Sequence, residues 1–255
     1  MTRTIALAGK GGTGKTTIAA LLIRSLLPRA RGPLLAIDAD PSSNLHLALG
    51  LPMPTTVGEI REQMAERASD GQLGIAISRQ DYLIHEIQMA LEESEQIDLL
   101  AMGRPEGPGC YCAFNHMLRE IVNKLNRNYD FVVVDNEAGM EHISRRTTRD
   151  VNLLLLITDP TIRGVRAVSE MAKLTQEIDV NIHRLMLVVN RLQGELPQPL
   201  QEAIDDLDLE IAAMIPADEI VNQLDALGQP LVQMDGDSPA FQAVETMTDR
   251  ILNSL

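Results

Sequence analysis

Residues 9–16 read Gly-Lys-Gly-Gly-Thr-Gly-Lys-Thr, between an apolar stretch, Thr4–Ala8, and a run of helical spacing, Thr16–Leu27. Gly9, Gly14, Lys15 and Thr16 fill the pattern G-x-x-x-x-G-K-[ST]. Such a loop holds phosphate by geometry: backbone N–H groups curl around the oxygens and the following helix points its positive end at them. That works only where a strand delivers the chain to the loop and a helix carries it away, so the motif dictates a strand–loop–helix unit. Gly11, Gly12 and Gly14 permit the path, with Thr13 inside it. Lys15 supplies a point charge for the β- and γ-phosphates, the Thr16 hydroxyl can ligate Mg²⁺, and Thr17 can bond the α-phosphate. A plain glycine turn does not explain two lysines. Lys10 lies at the mouth of the loop, where a second cation suits a nucleotide approached from another subunit. The loop therefore predicts a nucleoside triphosphatase that closes as a homodimer.

The rest of the chain alternates strands with helices. Apolar runs at Leu34–Asp38, Ile97–Met102, Asp130–Asp135, Val151–Thr158, Arg184–Asn190 and Leu209–Ile215 read as strands. Helical spacing marks residues 57–68, about 114–126, 164–177, 217–227 and 239–253. Residues 72–96 fit either a hairpin-like insertion or a helix. The predicted class is α/β: one doubly wound, mostly parallel sheet flanked by helices, with residues 1–255 as a single domain. Composition agrees: 45% of residues are hydrophobic, yet there is no Trp and only three Phe and three Tyr. The core must be aliphatic, as in parallel sheets covered on both faces.

A net charge of −14 disfavours nucleic acid and anionic membrane surfaces as partners. No apolar run approaches the roughly 20 residues of a bilayer span, and the early strand leaves no room for a signal peptide. The two cysteines are one residue apart, too close for an ordinary structural disulfide, so a cytoplasmic setting is expected.

Two acidic strand ends can complete the nucleotide site. Asp135 closes the run Phe131–Val134, where a carboxylate can hold Mg²⁺ through water, and Gly139 follows four residues later. Asp38 and Asp40 end the second strand, before Pro41. Asp40 is the candidate to position or deprotonate the attacking water, with Asp38 supporting the metal shell. Either aspartate could instead be a cap or turn residue.

Cys110-Tyr111-Cys112 follows Gly107-Pro108-Gly109. Two thiolates at this spacing fill only two positions of a soft ion, whereas a closed Zn²⁺ site wants four. A symmetric dimer would bring two pairs together. Inert cysteines or a redox pair are the alternatives. His116 could join but suits a helix surface better, and His46, His85, His142 and His183 lack partner spacing.

The string Lys10–Thr17, with Asp38-Ala39-Asp40-Pro41 and Asp135-x-x-Ala138-Gly139, resembles the deviant Walker-A ATPases of the MinD, ParA and nitrogenase-iron-protein family. The resemblance implies that Lys10 crosses to the partner's nucleotide, that Asp40 activates water, and that Asn190, Arg191 and Pro216 contact an adenine base. Asn190 could alternatively cap a strand-to-helix turn. Within the family, Gly107–Cys112 together with Glu137–His142 resembles the CooC type, nickel-insertion ATPases that mature carbon monoxide dehydrogenase, with relatives serving acetyl-CoA synthase. That resemblance implies ATP, Mg²⁺, and Ni²⁺ (or Zn²⁺) held by Cys110 and Cys112 between subunits, with a nickel enzyme as client. An alternative is a MinD- or ParA-type positioning or partitioning ATPase. The first would need a basic amphipathic C-terminal helix, but residues 239–255 carry Glu245, Asp249 and Arg250 with no basic face. The second would need a basic DNA-binding surface.

Overall fold

A computed structural model describes residues 2–69, 79–104, 112–138, 150–177 and 180–253. In chain order the strands are β1 (Arg3–Gly9), β2 (Leu34–Ala39), β3 (Ile97–Ala101), β4 (Phe131–Asn136), β5 (Asp150–Val151), β6 (Leu153–Thr158), β7 (Asn181–Ile182), β8 (Leu185–Leu192) and β9 (Glu210–Pro216). The helices are α1 (Lys15–Leu26), α2 (Leu45–Leu49), α3 (Val57–Ser69), α4 (Arg79–Met89), α5 (Cys112–Asn126), α6 (Ile162–Leu174), α7 (Gln198–Asp205), α8 (Glu219–Ala226) and α9 (Pro239–Leu252).

Seven strands form one sheet in the order β3-β2-β4-β1-β6-β8-β9, every adjacent pair parallel, while β5 and β7 form a small parallel pair of their own. The expected fold class is what the chain adopts. All residues of β2, β3, β4 and β6 are buried, which is why these strands read as continuous apolar runs rather than alternating ones. Alternate residues of each strand feed two separate apolar clusters. Leu7, Val133 and Ile157 pack with Ile18, Leu22, Val244 and Met247 of α1 and α9 on one face. Ala6, Val132 and Leu154 pack with Ile60, Ile121, Val165 and Ile204 of α3, α5, α6 and α7 on the other.

From β1 the chain winds through β2 and β3; after β4 it passes to the other side of β1. Ligand crevices form outside the carboxyl ends of strands at such reversals. The ends meeting there are Gly9, Asp38, Asp135 and Asn190, so topology alone gathers the predicted site.

The structure adds to the sequence reading at three points. The helix expected from about residue 114 opens at Cys112. The open segment 72–96 contains α4, and Glu92 makes an isolated antiparallel bridge to Leu99. Helices α2 and α7 were not anticipated; α2, with five residues, is too short to show a helical period, whereas α7 buries Leu200 and Ile204 at helical spacing. Cys110, Tyr111, Gly139 and His142 lie outside the described residues.

Candidate nucleotide site

The phosphate loop is held from three sides. At the exit of β1, a Cβ on Gly9 would lie 2.3 Å from the Ile157 carbonyl oxygen of β6, so only glycine fits. Within the loop, the Thr13 hydroxyl (2.9 Å), the Thr13 N–H (3.3 Å) and the Lys15 ammonium (3.5 Å) all donate to the Lys10 carbonyl. The Lys10 backbone is thus the pivot of the turn, while its side chain is exposed. Gly14 then starts α1 at φ 85°, in the left-handed region that favours glycine. No side chain caps α1 and its first turn holds no acid, so its N–H groups and positive pole remain available to an anion.

The third support comes from β8. The Asn190 amide donates to the Thr13 carbonyl at 2.8 Å, and the Arg191 guanidinium donates to the Gly12 carbonyl at 3.0 Å. A Cβ on Gly14 would sit 2.5 Å from the Asn190 Nδ2, which is how closely the strand end abuts the loop. Asn190 and Arg191, expected at the base, are braces of the phosphate loop in this structure. Both line a small neighbouring cavity of about 20 Å³ that includes Thr17 and Pro216. Asp218 closes that side: it caps α8 through the amides of Ile220 and Val221, and it accepts from the Ser238 hydroxyl (2.6 Å) and the Ala240 N–H (3.1 Å) at the start of α9. Burial opposes its charge, but these donors outweigh burial and its pKa is lowered.

The acidic strand ends take distinct positions. The Thr16 hydroxyl donates to Asp135 Oδ2 at 2.6 Å, while Asp135 Oδ1 is buried with no hydrogen-bond partner. Burial, reinforced by neighbouring Asp38, raises the Asp135 pKa to about 7 against the opposing pull of Thr16 and Lys15. A hydroxyl beside a buried carboxylate with one unsatisfied oxygen is a donor set that suits hydrated Mg²⁺. Asp38 is engaged differently. Its Oδ1 accepts from the Asp40 N–H (3.1 Å) and its Oδ2 from the Leu45 N–H (2.9 Å), so it ties both ends of the loop between β2 and α2. Burial raises its pKa to about 6, although those two amides favour the charged form. Asp40 forms a turn, its Oδ1 accepting from the Ser42 N–H at 2.8 Å, and it lines the cleft. The turn role and the cleft position coexist.

The cleft itself has a volume of about 430 Å³ and is lined by Gly11, Gly12, Gly14, Lys15, Thr16, Thr17, Asp40 and Ala138. Arg191 also lines it, and the rest of its wall was not foreseen: Asn44, Leu47 and Ala48 from α2 and its approach, and Asp225, Gly228, Gln229 and Leu231 from the end of α8 onward. These residues belong to no motif. The only hint was Asn44 and Gly50 flanking five residues; Gly50 ends α2 at φ 68° and packs against Pro230, where a Cβ would come within 2.8 Å.

Among the described residues no cluster of three or more His, Cys, Asp or Glu side chains could hold a metal ion. Cys112 opens α5, whereas Cys110 lies outside the described residues. No helix among the described residues is long and apolar enough to cross a membrane.

This geometry has relatives. An uncharacterized ATP-binding protein of Methanocaldococcus jannaschii is 37% identical over 249 residues, covering 98% of both chains. The carbon monoxide dehydrogenase accessory protein CooC of Rhodospirillum rubrum is 30% identical over 237 residues, covering 88% of this chain and 87% of that one. The septum site-determining protein MinD of Bacillus subtilis is 25% identical over 251 residues, covering 96% and 87%. The fold is that of the cell division ATPase MinD of Pyrococcus furiosus, with a TM-score of 0.71 over the whole of both chains at 23% identity. Residues 4–231 match the CobQ/CobB/MinD/ParA nucleotide binding domain. The chain therefore belongs to the CobQ/CobB/MinD/ParA family of nucleotide-binding proteins.

Proposed function

We propose that the protein is a cytoplasmic ATPase that uses a nucleotide-dependent homodimer to deliver a metal ion, nickel in function, to a client enzyme such as carbon monoxide dehydrogenase or acetyl-CoA synthase. The observation that carries the ATPase part is the Thr16–Asp135 hydrogen bond beside an unpartnered, buried Asp135 oxygen at the mouth of the phosphate loop. Thr16 and Asp135 would hold Mg²⁺, which when bound neutralises charge on the β- and γ-phosphates. Lys15, 7% exposed beneath the loop, binds the terminal phosphates. Asp40 orients the attacking water from its turn, and Asp38 fixes that turn rather than spending its oxygens on the metal shell. Lys10, exposed on a backbone pinned by three donors, reaches the nucleotide of the partner subunit.

The delivery part rests on Cys110-Tyr111-Cys112 and on the similarity to CooC. Two such pairs across a dimer axis would supply four sulfur ligands for Ni²⁺ or Zn²⁺ as cargo. Helix α9 offers no free apolar face to a membrane, because its Phe241, Val244, Met247 and Ile251 are buried in the core.

The reading is tested with Lys10→Ala. Because Lys10 braces the loop through its backbone, the variant keeps its fold and binds ATP as a monomer. ATP-driven dimerisation in sedimentation experiments should be lost, and phosphate release should fall by roughly 10²-fold or more, the scale of removing a transition-state cation. Native dimerisation and rate in the variant would overturn the shared-nucleotide mechanism.

A further inference from the structure

A carboxylate lining a phosphate cleft needs a reason, because it repels the ligand. Among the described residues the cleft has two, Asp40 and Asp225. Asp40 is held in its turn by the Ser42 N–H. Asp225 has no such anchor: among the described residues its side chain makes no hydrogen bond or ion pair. Arg191, which lines the same cleft, spends its guanidinium on the Gly12 carbonyl. The folding of α8 does not account for Asp225 either. Helices favour acids in the first turn and bases in the last. Asp218 and Glu219 obey this at the start of α8, but Asp225 lies in the last turn, which has no basic residue.

Position supplies the reason. Thr17, Arg191 and Asp225 are the residues shared by the cleft and the small cavity beside Asn190 and Pro216. The phosphate loop fixes one end of a nucleotide, and Asn190 and Pro216 are where its base is expected. That cavity holds only about 20 Å³, so a base would lie across its mouth. Covalent order then leaves the α-phosphate and the sugar to the shared residues. Thr17 is the candidate for the α-phosphate and Arg191 can only donate, so Asp225 is the one pure acceptor of the three.

We infer that Asp225 accepts hydrogen bonds from the vicinal hydroxyls of a ribose, so that the site selects ribonucleoside over deoxyribonucleoside triphosphates. The inference rests on the nucleotide-binding reading of the cleft. An ionised carboxylate offers two acceptor oxygens and no donor, which matches a diol. Acidic side chains read ribose hydroxyls in this way in other open α/β sheets, and bonds to a charged acceptor are the stronger kind. A metal ion suits Asp225 less well, since no cluster of three or more His, Cys, Asp or Glu stands among the described residues. Asp218 ties the start of α8 to that of α9, so the helix that carries Asp225 is fixed in place.

The experiment measures binding of ATP, dideoxy-ATP and inorganic triphosphate by calorimetry with Mg²⁺, for the native chain and for Asp225→Ala. Dideoxy-ATP keeps the base and phosphates but lacks both hydroxyls, and triphosphate lacks sugar and base. The native protein should bind ATP roughly tenfold or more tighter than dideoxy-ATP, the scale of hydrogen bonds to a charged group. In Asp225→Ala, ATP should fall to the dideoxy-ATP level, while triphosphate binds as tightly as before or tighter, because a repelling charge is gone. Asp225→Asn keeps one acceptor oxygen and should show an intermediate preference. Equal binding of ATP and dideoxy-ATP by the native protein overturns the inference, and so does a preference that survives Asp225→Ala. A parallel loss of triphosphate binding in Asp225→Ala overturns it too, because Asp225 would then support the fold of the site. Native protein that binds neither ATP nor triphosphate overturns the nucleotide site itself, and the role of Asp225 with it.

Discussion

Asp38 and Asp135 are register partners on the adjacent parallel strands β2 and β4, each with 1% of its surface exposed. Partners in a parallel ladder project to the same face, so the sheet places two buried carboxylates side by side at the nucleotide crevice. One has both oxygens occupied by the backbone amides of Asp40 and Leu45; the other has an oxygen with no partner. In the proposed mechanism the pair would divide the work between holding the Asp40 loop and offering a site to Mg²⁺.

The first prediction concerns pH. The Asp135 pKa is raised from the ordinary 3.8 to about 7, chiefly by burial. Between these values the folded protein holds a proton that the unfolded chain has released, so stability is greatest below about pH 4 from this group and falls as pH rises towards 7. Each unit is worth about 1.4 kcal/mol, so a shift of this size corresponds to a loss of roughly 4 kcal/mol. Without nucleotide and Mg²⁺, Asp135→Asn should be more stable than the native protein at pH 8 and show a flatter profile in urea titrations. Parallel profiles for the two proteins would rule this out.

The Asp38 brace predicts a split between binding and turnover. Asp38→Ala frees the Asp40 and Leu45 amides without removing a phosphate contact. The rate constant kcat should drop by roughly 10²-fold, as for a misplaced water-orienting group, while ATP affinity by calorimetry stays within about threefold. Loss of ATP affinity with little change in kcat would instead mark Asp38 as a binding residue.

Asn190→Ala removes a buried donor from the Thr13 carbonyl. The expected cost is about 1–3 kcal/mol, because the acceptor is left unsatisfied, together with weaker binding of ADP and ATP alike. Asn190 reads only the base, and does not support the loop, if the variant binds nucleoside triphosphates with other bases as the native protein does but loses ATP selectively.

Asp218 links the starts of α8 and α9. Asp218→Ala should lower stability by about 2–3 kcal/mol, the sum of a lost cap and a buried Ser238 hydroxyl without its acceptor. Thermal unfolding of the variant checks this directly.

Much of this was legible because the informative residues sit where strands end. The phosphate loop named its own flanks, and the apolar runs Phe131–Val134 and Val151–Thr158 read as buried strands. Asp135 stood out as a charge closing an apolar run. The division between Asp38 and Asp40 was not legible, since it depends on amides from Leu45, seven residues on, and on a five-residue helix with no periodicity. The bracing role of Asn190 was hidden for another reason: its partner, Thr13, is 177 residues away, and the contact exists only because β8 lies two strands from β1.

The delivery role is tested most directly by counting metal. Nickel and zinc bound per chain are measured by mass spectrometry of the protein purified with and without ATP, for the native chain and for Cys110→Ser/Cys112→Ser. The account predicts one ion per two native chains, an occupancy that changes with nucleotide, and none in the double variant. Equal metal content in native and variant protein would contradict it.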